Sequence, residues 1–314
     1  MKFAVIGTGG VGGFFGAKLA KTWEDVWFIA RGPHLDAMKK VGLQINSTEG
    51  NFCVPPGKIT DKPVEVGPSD VILFCVKSYD TELAARQLEP ILTSESTIIS
   101  LQNGVDNEEK IQKYIKTGAV YGGVANIYST ITAPGVITET GSPKKIEFGP
   151  LRRQHAVKDQ RGKTILHAFL EAGIRAELTD DVHTAIWKKF IFIAAVAGLT
   201  ALTRLTLSQI LAVKETRALL ADAMREVETI ARAVHANVEP GYVELIFEKL
   251  KKYDNNTRSS LYYDLTHEKP LEIDALSGTV VRYGERLDIS TPVHRTMYAA
   301  LLPYHIKYST QSRT

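Results

Sequence analysis

Residues 2–13 read Lys2-Phe3-Ala4-Val5-Ile6-Gly7-Thr8-Gly9-Gly10-Val11-Gly12-Gly13, a short apolar run that ends in a glycine turn. Gly7 allows a sharp turn, Gly9 leaves no side chain between the backbone and a pyrophosphate, and Gly12 lets the next helix pack close to the strand. A helix is expected through Gly13–Lys21, with its N-terminal amides aimed at the phosphates. An apolar strand before the glycines and an amphipathic segment after them are the context that a dinucleotide-binding turn requires and a chance glycine turn lacks.

The second apolar run, Val26–Ala30, ends where an NAD-binding fold places an Asp or Glu to hold the ribose 2′-OH. This chain has Arg31 there. A guanidinium offers planar, charge-assisted bonds to a 2′-phosphate and stacks on adenine, so the expected cofactor is NADPH/NADP+. A solvated surface arginine would account for the charge but not for the missing acid.

The chain has 314 residues, enough for two domains, with 44% hydrophobic and 23% charged residues. A net charge of +3, spread along the chain, gives no support to nucleic-acid binding. Cys53 and Cys75 form neither a disulfide framework nor a CxxC pair, and no metal site is expected. The first strand is not preceded by a secretory leader pattern, so a reducing, cytoplasmic setting is expected. The longest apolar run, Phe190–Leu202, has thirteen residues and reads as a buried core helix rather than a membrane span.

Further strands are expected at Val71–Val76, Thr97–Leu101, Val120–Val124, Val136–Thr138, Lys145–Phe148 and Ile174–Leu178, with helix over Thr81–Leu92. Apolar runs of this kind suit a parallel sheet covered on both faces. Val136–Thr138 and Lys145–Phe148 read as a hairpin or an antiparallel extension. From Asp181 the texture turns helical, over Val182–Thr203, Leu207–Val234, Val243–Lys251, Leu271–Tyr283 and Pro292–Ile306. Thr291-Pro292 reads as a helix start and Gly284 as a C-terminal cap. The fold expected is α/β, a Rossmann-type doubly wound sheet over residues 1–180 followed by an all-helical domain over 181–314, with the active site in the cleft between them.

Several polar residues fall where such sheets bind ligands. Lys77 and Asn103 both follow sheet strands at their C-terminal ends, where they could reach a carboxylate or a nicotinamide ribose, or simply form turns. Lys189 opens the apolar helix. Beside a buried face it could have a depressed pKa and protonate a carbonyl, or it could snorkel to water. Glu272, in the first turn expected after Pro270, is accounted for by the helix dipole alone.

Taken together, Gly7, Gly9 and Gly12, Arg31, Lys77 in Cys75-Val-Lys-Ser78, Leu101-Gln-Asn-Gly104, Trp187-Lys-Lys189 with Leu199-Thr-Ala-Leu202, Ser259-Ser260 and Glu272-Ile-Asp274 form an ordered set. With it the chain resembles the ketopantoate reductase family over nearly its whole length. That resemblance implies NADPH-dependent reduction of a small 2-oxo acid, with Lys189 as general acid and Glu272 holding the substrate hydroxyl or orienting Lys189. It also implies that Ser260 and Asn103 bind substrate and the nicotinamide end of the cofactor. Neither nucleic acid nor membrane is implied as a partner, and a homodimer is compatible with the sequence.

One departure stands out. The family's best-known members carry asparagines four and eight residues after the lysine, and this chain has Ile193 and Ala197. Positions 189, 193 and 197 share a helix face, so an apolar wall replaces two amides in the substrate-binding surface. This leaves open a bulkier or less polar substrate than ketopantoate, or a non-catalytic NADP(H) sensor.

Overall fold

A computed structural model describes residues 1–23, 25–141, 143–151, 159–251 and 258–311. Two compact units emerge, one of residues 1–102 and 106–185, the other of residues 103–105 and 186–314.

The strands of the first unit are β1 Phe3–Ile6, β2 Val26–Ile29, β3 Leu43–Asn46, β4 Phe52–Val54, β5 Ile59–Thr60, β6 Val71–Phe74, β7 Thr97–Ser100, β8 Ala119–Asn126, β9 Ser129–Ala133, β10 Val136–Glu139, β11 Lys145–Pro150 and β12 Arg175–Leu178. Its helices are α1 Gly10–Ala20, α2 Gly32–Val41, α3 Pro63–Val66, α4 Thr81–Arg86, α5 Asn107–Gln112 and α6 Gln160–Glu171. The main sheet runs β12-β11-β8-β7-β6-β1-β2-β5, and its stretch from β5 to β8 is parallel. This is the 3-2-1-4-5-6 order of a doubly wound dinucleotide fold. β1 and β6 are buried along their whole length, as strands covered on both faces must be.

β11 pairs antiparallel with β8 and so extends the main sheet. It does not form a hairpin with β10. β10 lies in a second sheet, of order β4-β3-β10-β9, where it pairs antiparallel with β9 across Pro134-Gly135 and parallel with β3. Gly135 takes a left-handed φ of 76°, which supplies the tight turn.

α1 is packed from both sides. A Cβ on Gly12 would overlap the Gly7 carbonyl and crowd Val5, and one on Gly16 would crowd Val5 and Phe28. On the opposite side, a Cβ on Gly10 would overlap the Ser129 carbonyl of β9, and one on Gly13 would overlap Ile137 of β10. A helix enclosed in this way needs no polar face, and Phe14, Phe15, Ala17 and Leu19 are fully buried.

The second unit contains most of α7 Val182–Thr203, then α8 Leu207–Ala212, α9 Lys214–Ala233, α10 Tyr242–Leu250, α11 Ser260–Thr266, α12 Thr279–Leu287 and α13 Pro292–Gln311. At 22 residues α7 is long and apolar enough to cross a membrane, so length alone does not decide its nature. Burial does: Phe190, Ile191, Ala194, Ala195, Leu199 and Ala201 are fully enclosed in the helical core.

The single helix expected over Leu207–Val234 is broken at Val213, which is extended. There the Thr216 hydroxyl donates to the Ile210 carbonyl at 2.7 Å and replaces the helical partner that carbonyl lacks. Gly284 is not a cap either. α12 runs on to Asp288, which takes the left-handed C-cap conformation at φ 55°, while a Cβ on Gly284 would lie 2.7 Å from the Ile289 carbonyl. α11 has no counterpart in the sequence reading, and the Ser259 hydroxyl caps it by accepting the Tyr262 amide at 3.1 Å.

Candidate active site

The glycine turn has the conformation that its sequence calls for. Gly7 sits at φ 88°, and any Cβ there would lie 2.7 Å from the Val76 amide nitrogen. The neighbouring Thr8 hydroxyl donates to the Ile29 carbonyl at 3.0 Å and fixes the turn against β2. Gly9 caps α1 without a side-chain acceptor, and a Cβ built on it meets nothing within 4 Å. At the start of α1 no side chain therefore covers Gly9, which fits an approaching pyrophosphate. Gly12 serves packing, as expected for the third glycine of the motif.

Arg31 follows β2 and caps α2 with extended backbone. Its guanidinium reaches the Asp80 carboxylate at 2.5 Å. Asp80 lies in the 3-10 turn after β6, 49 residues along the chain from Arg31, so its place beside the arginine is set by the fold and not by sequence spacing. Lys77, partly buried, follows β6 and precedes the 3-10 turn Ser78–Asp80. Behind it, the buried Gln102 donates to the Val76 carbonyl at 2.9 Å and to the Thr81 hydroxyl at 2.7 Å. Gln102 thereby ties together the ends of β6 and β7 from which Lys77 and Asn103 emerge.

Asn103 is partly buried and clusters with the helical unit rather than with the sheet. That same unit contains Lys189, Ile193, Ala197, Ser260 and Glu272.

On α7 the two adjacent lysines differ. Lys188 Nζ pairs with Glu239 at 2.6 Å and lies over the Tyr242 ring. Lys189 is partly buried, and desolvation brings its pKa down to about 8, opposed by the negative charge of Glu272. The reading of Lys189 as an ammonium snorkelling to water does not describe this environment. Trp187 closes the same turn, edge-on to Phe190 and Tyr283 at 5.7 and 5.4 Å.

Glu272 is 8% exposed. It lies in a turn before a π-helical segment, Asp274–Gly278, rather than in the first turn of a regular helix. Its own carbonyl accepts the Leu276 amide at 3.1 Å, and the Ile273 carbonyl accepts Gly278 at 2.9 Å, the wider ring of a π-helix. A π-turn inserts a residue that shifts the helix face, and no feature of the sequence announced it.

Ile193 is partly buried and Ala197 is 5% exposed. The Ala197 carbonyl accepts from Thr200 at 3.4 Å and from Ser259 at 3.5 Å, while the Thr200 and Ser259 hydroxyls lie 2.7 Å apart. This contact fixes the start of α11 against α7. Ser260, the first residue of α11, is exposed. The structure thus brings Lys189 and Glu272 into electrostatic contact, and Ala197 into contact with the serine next to Ser260.

Residues 3–153 match the family described as ketopantoate reductase PanE/ApbA, and residues 181–305 match its C-terminal domain. The chain is 31% identical to an uncharacterised oxidoreductase, YkpB, of Bacillus subtilis over 97% of this chain and 99% of that one. It is 27% identical to a 2-dehydropantoate 2-reductase of Nostoc sp., over 96% of this chain and 94% of that protein. The crystal structure of a PanE/ApbA family ketopantoate reductase from Ralstonia eutropha superimposes with a TM-score of 0.89 at 29% identity, covering 98% of this chain and 100% of that one. Sequence and fold agree: the chain is an oxidoreductase that belongs to the ketopantoate reductase family.

Proposed function

We propose that the protein reduces the keto group of a small 2-oxo acid to a 2-hydroxy acid with NADPH, ketopantoate to pantoate being the leading reaction. The observation that carries this reading is Lys189, an ammonium brought to about 8 by burial beside the Glu272 carboxylate. A general acid is most effective when its pKa lies near the working pH, and an ordinary surface lysine is too weak an acid for that role. The first unit would bind the dinucleotide through Gly7, Gly9 and Gly12, with Arg31 at the 2′-phosphate and Lys77 toward the nicotinamide ribose. When bound, the dinucleotide supplies the hydride. Lys189 donates its proton to the oxygen of the carbonyl being reduced, and Glu272 keeps the ammonium charged until that transfer. Asn103 and Ser260 offer an amide and a hydroxyl to the substrate's polar groups.

Ile193 and Ala197 favour a second reading of the substrate. Apolar surface in place of two amides leaves a small hydroxylated acid with unpaired polar groups. Each additional buried methylene gains about 0.8 kcal/mol. A 2-oxo acid with a larger apolar side chain is therefore the alternative substrate. Both readings are tested by following NADPH oxidation across a panel of 2-oxo acids of increasing side-chain size. Turnover of any of them supports the reaction, and the order of kcat/KM chooses the substrate. Tight cofactor binding with no turnover on the panel would point instead to a non-catalytic NADP(H)-binding protein.

A further inference from the structure

In an NAD-binding fold, an acid after the second strand holds the ribose 2′-OH, and in an NADP-binding one an arginine there meets the 2′-phosphate. This chain presents both groups. Arg31 follows β2, Asp80 follows β6, and β2 and β6 are the two neighbours of β1 in the sheet. Their side chains meet at 2.5 Å, so the ion pair joins the strands flanking the glycine turn at their C-terminal edge.

Asp80 ends the 3-10 turn Ser78–Asp80 and leads directly into α4 with helical backbone, φ −100° and ψ −1°. Its side chain bonds no amide of α4, and its carboxylate goes to Arg31. The Asp80 side chain is 24% exposed and that of Arg31 66%, so the pair is open to an incoming group from the arginine's side. An exposed pair of this kind contributes little to stability.

We infer that Asp80 is a cofactor-specificity residue that restrains the preference for a 2′-phosphate. This rests on the dinucleotide reading above. A 2′-phosphate taken by the exposed donors of Arg31 would sit beside the Asp80 carboxylate, like charge against like. A ribose 2′-OH can donate to Asp80 while the ion pair stays intact. Asp80 thus supplies, from the end of β6, the acid that the end of β2 lacks, and the site accepts the unphosphorylated dinucleotide as well.

The test is calorimetric titration of the ligand-free protein with NADP+ and with NAD+, alongside kcat/KM for NADPH and NADH. Asp80→Asn keeps the shape of the side chain and removes its charge. It is expected to tighten NADP+ about tenfold while leaving NAD+ unchanged or weakened, and to raise the NADPH to NADH ratio of kcat/KM by a similar factor. Arg31→Ala, as the opposing variant, should weaken NADP+ and spare NAD+. An unchanged NADP+ to NAD+ ratio in Asp80→Asn would reduce the pair to a surface contact and overturn the inference. Weaker NADP+ binding would also overturn it, by making Asp80 the group that orients Arg31 for the phosphate. Failure of the unmodified protein to bind either dinucleotide would instead remove the reading on which the inference rests.

Discussion

Replacing Glu272 with glutamine keeps the shape of the side chain and removes one charge beside Lys189. Burial lowers the Lys189 pKa to about 8, and the Glu272 charge is the influence holding it up. An opposite charge in close contact raises a lysine's pKa by one unit or more, and one unit corresponds to about 1.4 kcal/mol. Without it the ammonium should lose its proton near pH 7. At pH 8 the unmodified enzyme would hold roughly half of its Lys189 charged and Glu272→Gln roughly a tenth, a fivefold loss from protonation alone. At pH 6 both proteins hold a charged lysine, so any loss there reports positioning. The assay is kcat/KM for 2-oxo acid reduction from pH 6 to pH 10. The alkaline limb should lie near 8 in the unmodified enzyme and about one unit lower in the variant. A limb that stays in place or moves upward would show that Glu272 does not govern the ionisation of Lys189.

Lys189→Ala should lower kcat by roughly a hundredfold or more with cofactor affinity nearly unchanged, whereas Lys188→Ala, which removes only the pair with Glu239, should cost little. Equal losses in steady-state kinetics would point to a general effect on α7. Ile193→Asn with Ala197→Asn should shift the ratio of specificity constants toward ketopantoate and away from bulkier 2-oxo acids, measured on the same panel. His294 is fully buried, its Nε2 donating to the Ala223 carbonyl at 3.1 Å and its Nδ1 facing the Ser277 hydroxyl at 3.2 Å. Desolvation lowers its pKa to about 4, so the unfolded chain takes up the proton first. Stability is then lost as pH falls from about 6.5 toward 4, by up to roughly 3 kcal/mol. Urea titrations should show a flatter acid dependence in His294→Gln.

What the sequence disclosed followed from strong local rules. β1, the glycine turn, β2, β6 and β7 were legible because each strand is an unbroken apolar run bounded by turn formers. α7 was legible because its apolar character is continuous. β3, β4 and β9 escaped because none is an unbroken apolar run: β3 alternates buried and exposed residues, β4 has only three residues, and most of β9 is exposed. Gly284 was misread because a glycine near a helix end signals either a cap or a close packing contact, and the chain alone does not say which. At the site, Lys189 was visible as a residue type in a setting, but its distinction from Lys188 required the fold. Asp80 and Arg31 are 49 residues apart and meet only because their strands flank β1.

The two-sided packing of α1 gives the glycine motif a second meaning. Gly7, Gly9 and Gly12 answer to the turn, the open approach and β1, but Gly10 and Gly13 answer to β9 and β10. Two of the five glycines in Gly7–Gly13 therefore record an architectural neighbour, independent of any ligand. In a chain that lacked the second sheet those two positions would be free to carry side chains, and a longer glycine signature in a related sequence would announce the added sheet before any of its weak strands could be recognised. The same enclosure packs the helix closely against both sheets. The amides at the start of α1 are thus held in place before any ligand arrives, and little ordering entropy would remain to be lost on binding there.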